Sequence, residues 1–307
     1  MENCKWRSKV EEQERQQAEV QPEPELLYHY TTQDGLLGIL EKACIWATHY
    51  RYLNDASEGQ IVSKLLIEEL TKRNCDEGVI SQGKRILSEI TSQDVYAASF
   101  SEHGNLLSQW RAYSGKSGGY SIGFSPNYLE AIGKHFCKNI SEPHYSPDNP
   151  LIQCQYFDDD VERQLKEKIQ KEVESYIEEA ERIKRTLPST EQIGRHTPAG
   201  IALRHFWEFS RDCAITKDYA FHEEREWRLV VHMRQFGNDG FFRQGRSMLI
   251  PYLKIPLTCP EQRIEIREIY IGPCPNPAEA LRSVKMLLKR QDIYGVEVKD
   301  SMIPYRS

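Results

Sequence analysis

The chain has 307 residues, a net charge of −6 and a pI near 5.9, so it can bury a sizeable core and carries no global basic field; any contact with nucleic acid must rest on a local patch. No apolar run approaches the roughly 20 residues that span a bilayer, and the first residues show neither an apolar signal core nor a small-residue cleavage site. The eight cysteines are scattered and form no C-x-x-C pair, which argues against a zinc site and for reduced thiols in a cytoplasmic protein.

Residues 1–25, rich in Glu, Gln, Lys and Arg and ending in Gln-Pro-Glu-Pro-Glu, read as a frayed helix or disordered arm. A short strand follows at Leu27-Tyr28-His29-Tyr30. A helix then starts at Thr31 or Thr32, with Leu36, Ile39 and Leu40 on one face. Ile45 to Thr48 reads as a strand, Arg51 to Asp55 as a loop, and Ser57 as the cap of a helix carrying Ile61, Leu65 and Leu66. A helix near Ile80 to Ile90 leads to buried strands at Val95 to Ser101 and Tyr120 to Phe124, with a helical turn between them that holds Trp110 and Tyr113. Cys44, and Cys154 in a strand-like Ile152 to Tyr156, fit as small buried hydrophobes.

Asp158 to Arg185 is highly charged with sparse apolar residues and predicts a long, mostly exposed helix; Ala202 to Tyr219 predicts another. Strands return at Trp227 to His232, Met248 to Ile255 and Ile264 to Ile271, followed by a helix from Pro277 to Leu288 and a last strand at Val296 to Val298. Strands clustered early and late with helices between them indicate an α+β fold. The expected organisation is one domain over residues 26–307 with a helical insertion at about 158–220.

Glu224-Arg225-Glu226-Trp227-Arg228 sets two carboxylates two apart at the mouth of an apolar run, so in a strand they share a face. Paired carboxylates suit glycosyl transfer: one stabilises an oxocarbenium-like centre, while the other holds a hydroxyl or takes a proton from the attacking group. A solvated edge on which two arginines pair with two glutamates competes with that reading. Tyr28-His29-Tyr30-Thr31-Thr32 offers an imidazole, phenols and hydroxyls for a ribose and an aromatic base. Ser99, Ser101, Trp110, Tyr113 and the loop Gly115 to Gly119 offer further hydroxyls and rings, although neither a P-loop nor a dinucleotide fingerprint is present. In the loop after the second strand, Arg51 and Asn54 either bind a ligand or turn the chain. Arg243 and Arg246 beside Phe241 and Phe242 form the nearest thing to an arginine-aromatic nucleic-acid patch.

Together, Tyr28-His29-Tyr30-Thr31, Leu53-Asn54-Asp55 with Glu58, Ser99-Phe100-Ser101, Ser108-x-Trp110-x-x-Tyr113, Ser121-Ile122-Gly123-Phe124 and Glu224-x-Glu226-Trp227-Arg228 resemble the bacterial domain of unknown function family 2971 over about Leu26 to Ile271. More distantly, a His on an early strand, an aromatic or Ser on a middle strand and a Glu at a late strand resemble ADP-ribosyltransferases. That resemblance implies a split, mixed or antiparallel sheet gripping NAD as substrate without a metal, with His29 on ribose hydroxyls and Tyr113 stacked on nicotinamide. It further implies Glu226 on the ribose 2′-hydroxyl and beside the developing cation, with Glu224 as base for the acceptor. Tyr30, Thr31, Asn54, Ser99, Ser101 and Trp110 complete the implied NAD-binding set. The acceptor would be protein, RNA or DNA; the implied setting is a toxin or antiviral defence effector, with a neutralising partner. An NAD glycohydrolase and a non-catalytic sensor or interaction protein on the same fold are the alternatives.

Overall fold

The computed structural model describes residues 23–53, 59–90, 94–114, 118–140, 149–187, 194–233, 239–260 and 262–304. The arm expected at residues 1–25 falls almost wholly outside these, as do Asn54, the Ser57 cap and residues 115–117 of the glycine loop.

β1 (Leu27–Thr32) runs into α1 (Gln33–Lys42), whose start is fixed by the Thr32 side chain accepting from the Gly35 amide. Next come β2 (Cys44–His49), α2 (Gln60–Lys72), α3 (Glu77–Ile90), β3 (Asp94–Ser101), α4 (Leu107–Tyr113) and β4 (Gly119–Phe124). α5 (Pro126–Ile140) was not anticipated from the sequence. Its signals are a Ser125 hydroxyl accepting from the Tyr128 amide, Pro126 in the first turn, and an apolar face of Leu129, Ile132 and Phe136.

Then follow β5 (Leu151–Gln153), β6 (Gln155–Phe157), α6 (Asp159–Thr186), α7 (Pro198–Phe206), α8 (Phe209–Ile215) and β7 (Thr216–Asp218). The helix expected over Ala202 to Tyr219 is thus two short helices and a strand. α6 also differs from the exposed rod expected: Leu165, Ile169, Val173, Tyr176, Ala180 and Ile183 form a buried stripe, which the density of charge at the intervening positions masks in the sequence. The remaining elements are β8 (Glu226–Met233), β9 (Gly240–Gln244), β10 (Leu249–Pro256), β11 (Glu268–Ile271), α9 (Pro277–Arg290) and β12 (Glu297–Asp300). The strand expected from Ile264 begins only at Glu268.

Ten strands form one mixed sheet in which only β11 and β12 pair in parallel, and β6 and β7 make a separate parallel pair. The architecture is α+β, as expected. β8 pairs with β3 along its whole length, from Asp94↔Met233 to Ser101↔Glu226. β1 and β2 therefore share the other edge of β3, β1 at Tyr28↔Ser101 and β2 at Thr48↔Ala97 and His49↔Tyr96. Between these contacts, at Ala98, Ser99 and Phe100, the sheet splits.

Side chains alternate across the sheet. Leu229, Val231 and Met233 join the core under α1, α5 and α9, while Val230 and Val95 join the core under α2, α3, α6, α7 and α8. The split and the head of β8 thus lie at one end of a sheet held between two helical layers. No helix among the described residues is long and apolar enough to cross a membrane.

Candidate active site

At the split lies a narrow cleft lined by Tyr28, His29, Tyr30, Ser99, Phe100, Ser101, Gln109, Tyr113, Glu224 and Glu226. Seven of the ten residues singled out from the sequence are among them, drawn from β1, β3, α4 and the approach to β8. The cleft encloses about 40 Å³, far below the few hundred Å³ typical of small-molecule sites.

β8 begins at Glu226, and Glu224 ends a 3-10 helix, so the expectation that a strand places both on one face is corrected. Arg225 stands between them in the left-handed region, with φ 40° and ψ 56°. That kink brings the two carboxylates together: Lys217 Nζ donates to Glu224 Oε2 and to Glu226 Oε2, each at 2.6 Å. Arg228, two residues along β8 and on the same face, donates from Nε to Glu226 Oε1 at 2.7 Å and from Nη1 to the Ala214 carbonyl at 2.5 Å. All four charges lie at most 14% exposed at their side chains. Burial opposes ionisation of Glu226, but Arg228 and Lys217 outweigh it and hold the carboxyl down to about 2. For Lys217, burial favours the neutral amine, and Glu226 and Glu224 reverse that preference. The solvated edge of alternating arginines and glutamates is therefore not what forms: Arg225 reaches Glu102 at the surface, and Arg228 is buried.

The cluster is anchored by backbone as well as charge. The Glu226 amide donates to the Tyr156 hydroxyl at 2.7 Å and its carbonyl accepts from Cys154 N at 2.8 Å. The Ser101 hydroxyl donates to the Glu224 carbonyl at 2.7 Å, which fixes the turn that delivers Glu224. Ser101 thus holds the turn and lines the cleft together.

Along β1, alternation sets Tyr28 and Tyr30 on the side of Ser101 and Glu226 and His29 on the other. At the split, however, His29 reaches the exposed edge of β3: its Nδ1 lies 2.9 Å from the Ser99 carbonyl and its ring 5.8 Å from that of Phe100. A carbonyl accepts only, so Nδ1 carries the proton and Nε2 is left as an acceptor. Burial lowers the pKa of this imidazole below its ordinary value, with the bond to Ser99 working the other way.

Tyr30 lines the cleft with its hydroxyl committed: it donates to the His103 carbonyl at 2.6 Å and accepts from Leu106 N at 2.8 Å, pinning the loop before α4. Trp110 does not line the cleft. It is buried, packs edge-on against Tyr30 with ring centroids 4.8 Å apart, and donates from its indole nitrogen to Asn105 Oδ1 at 2.9 Å. Thr31 pairs with Tyr120 inside the sheet and also stays out of the lining. Asn54 lies outside the described residues. Gln109, Lys217 and Tyr156 went unnoticed in the sequence; an isolated Lys217 between Ile215-Thr216 and Asp218 was the one available signal.

Residues 109–229 match the family described as protein of unknown function (DUF2971). The match covers less than half of the chain, begins within α4 and ends within β8, and so takes in Gln109, Tyr113, Lys217, Glu224, Glu226 and Arg228 of the cleft and its cluster. No curated protein and no solved structure matches the chain. Among the described residues no group of three His, Cys, Asp or Glu side chains is arranged to hold a metal ion.

Proposed function

We propose that the cleft carries out NAD-dependent ADP-ribosyl transfer to a macromolecular acceptor. The observation that carries this reading is convergence: His29, Tyr30, Ser99, Ser101, Tyr113, Glu224 and Glu226, singled out from four separate stretches of sequence, line one cleft at a split in the sheet. The lining suits a ribose and a flat base: an imidazole Nε2 acceptor, the Ser99 hydroxyl, the Gln109 amide and the Tyr113 ring.

In the reaction the bond between ribose C1′ and nicotinamide nitrogen breaks, nicotinamide leaves, and an acceptor oxygen or nitrogen bonds to C1′ while its proton passes to a base. Glu226, ionised down to about pH 2, is unsuited to proton transfer near neutrality. It accepts a ribose hydroxyl and adds negative charge beside the developing cation. Glu224, on the more exposed side of the shared lysine, is placed to take the acceptor's proton. Because Lys217 holds both carboxylates and the enclosed space is small, this reading has the cleft widen and Glu226 exchange part of its contact with Lys217 for a ribose hydroxyl as NAD binds.

Nicotinamide release from NAD, followed by mass spectrometry with and without cell lysate or RNA, tests the reading. Glu226→Gln alone leaves the buried cations in excess, so it is compared with the charge-balanced pair Glu226→Gln/Lys217→Met. Both should lose release, and the double variant should do so while folded. Turnover by that folded variant at the wild-type rate would sink the role given to Glu226. Dependence on an added acceptor separates transferase from glycohydrolase. The closed cluster also favours a second reading, in which it only locks the head of β8 within a non-catalytic interaction protein; absence of NAD binding and release under every condition would support it.

A further inference from the structure

The register of the sheet places a second set of residues on the face that carries Ser99, Ser101, Arg228 and Glu226. Phe241 pairs with Tyr252, Tyr252 with Thr48, Thr48 with Ala97, and Ala97 with Val230, so all five share that face. Arg243 follows Phe241 two residues along, and Trp46 and Lys254 face each other one pleat beyond Thr48 and Tyr252. The helices α2, α3, α6, α7 and α8 cover this face over β3 and β8. Over β2 and β9 two rings are open, Trp46 at 40% and Phe241 at 37% exposed, while Tyr252 on β10 is buried between them.

These rings form a continuous platform. Trp46 and Tyr252 have centroids 4.4 Å apart, and Tyr252 and Phe241 5.8 Å, each pair inclined by 34°. Two cations lie in it: Lys254 Nζ sits 3.7 Å from the Phe241 centroid, and the Arg243 guanidinium 6.0 Å from that of Trp46. Arg243 also donates to Thr48 Oγ1 at 3.0 Å, while its Nε is buried with no hydrogen-bond partner among the described residues. Neither cation forms an ion pair with a described carboxylate. In a chain of net charge −6, these two cations, unpaired with any described carboxylate, sit against the exposed rings of Trp46 and Phe241.

We propose that this face binds a single-stranded nucleic acid, and that this strand is the acceptor served by the cleft; the second half rests on the transfer reading above. Sequence-tolerant stacking of bases on aromatic rings beside a cationic track is how single strands are held. A duplex hides its bases from such a platform. A peptide partner would leave the ring faces short of flat partners unless it were itself aromatic. Glu226 lies three strand spacings from Tyr252 and four residues along β8 from its register row, about 20 Å in all, so a strand several nucleotides long reaches from the platform to the cleft.

The test is fluorescence anisotropy of the full chain with labelled single-stranded RNA and DNA of about 15 nucleotides, the upper range of such sites, and with the same sequence as a duplex. Single strands should bind and the duplex should compete poorly. Trp46→Ala/Phe241→Ala should weaken binding about tenfold or more, and Arg243→Gln/Lys254→Gln should flatten its salt dependence. No binding of either strand, equal binding by the aromatic variant, or preference for an acidic peptide would overturn the proposal. Nicotinamide release without added acceptor, measured on the aromatic variant, keeps the two readings apart. Release without oligonucleotide binding sinks this inference alone. Binding without NAD turnover leaves the surface standing and removes its role as acceptor site.

Discussion

Glu224 and Glu226 close on one ammonium, with Lys217 Nζ 2.6 Å from an oxygen of each, although the residue between them turns them out of any common strand. With Arg228 completing the set, one buried and one partly buried carboxylate meet two buried cations, and the four charges sum to zero. Such a cluster contributes little over an apolar replacement of the whole, yet removing one member leaves a buried charge uncompensated.

A double-mutant cycle follows from that asymmetry. Glu226→Gln and Lys217→Met should each destabilise the protein by about 3–5 kcal/mol, and the double variant by clearly less than their sum. Urea unfolding of the four proteins checks it. Additive losses would mean that the two side chains are not coupled.

The acid response has a definite sign. The folded-state pKa of Glu226 is depressed from 4.5 to about 2, so its contribution is fully present above pH 4.5 and is lost as pH falls towards 2. Stability should fall through that window, and Glu226→Gln should flatten the fall by a few kcal/mol. Thermal unfolding of both proteins across the window provides the comparison.

Arg225 holds a left-handed φ of 40°, which costs roughly 1 kcal/mol for a residue with a Cβ. Arg225→Gly should therefore be neutral or mildly stabilising despite losing the exposed contact with Glu102, a kind worth little. Arg225→Val should destabilise and pull Glu224 from Lys217. Melting temperatures of both variants test the claim; equal stability would show that the turn carries no strain.

For His29, burial lowers the pKa below the ordinary value of 6.5, so the imidazole is neutral near pH 7. An NMR titration should place its midpoint below that of a free histidine, with Nδ1 protonated. A raised midpoint would mean that His29 acts as a cation and would remove Nε2 as an acceptor for ribose.

Much of the fold was legible in order. Alternation and apolar runs placed β1 to β4, β8 and β10, and the Thr32 cap placed α1 to within a residue, because these signals are local. α5 was missed although Pro126 and an apolar face announce it, and α6 was misjudged because charge at most of its positions hid a stripe that only its packing reveals. Of the residues that residue type pointed to, His29, Tyr30, Ser99, Ser101, Tyr113 and both glutamates line the cleft. Trp110 and Thr31 do not.

Length, charge, the order of β1 to β4, β8 and β10, and the Glu224-x-Glu226 pair were set by the sequence alone, since each depends on composition or on neighbours a few residues apart. Tertiary structure alone decided that Lys217 neutralises both carboxylates, that Tyr30 spends its hydroxyl on the loop before α4, and that the platform at Trp46 shares a face with Glu226. The first joins residues across the turn before β8 and the other two join residues far apart in the chain; all three depend on strand register and burial, and none is written in any local window of sequence.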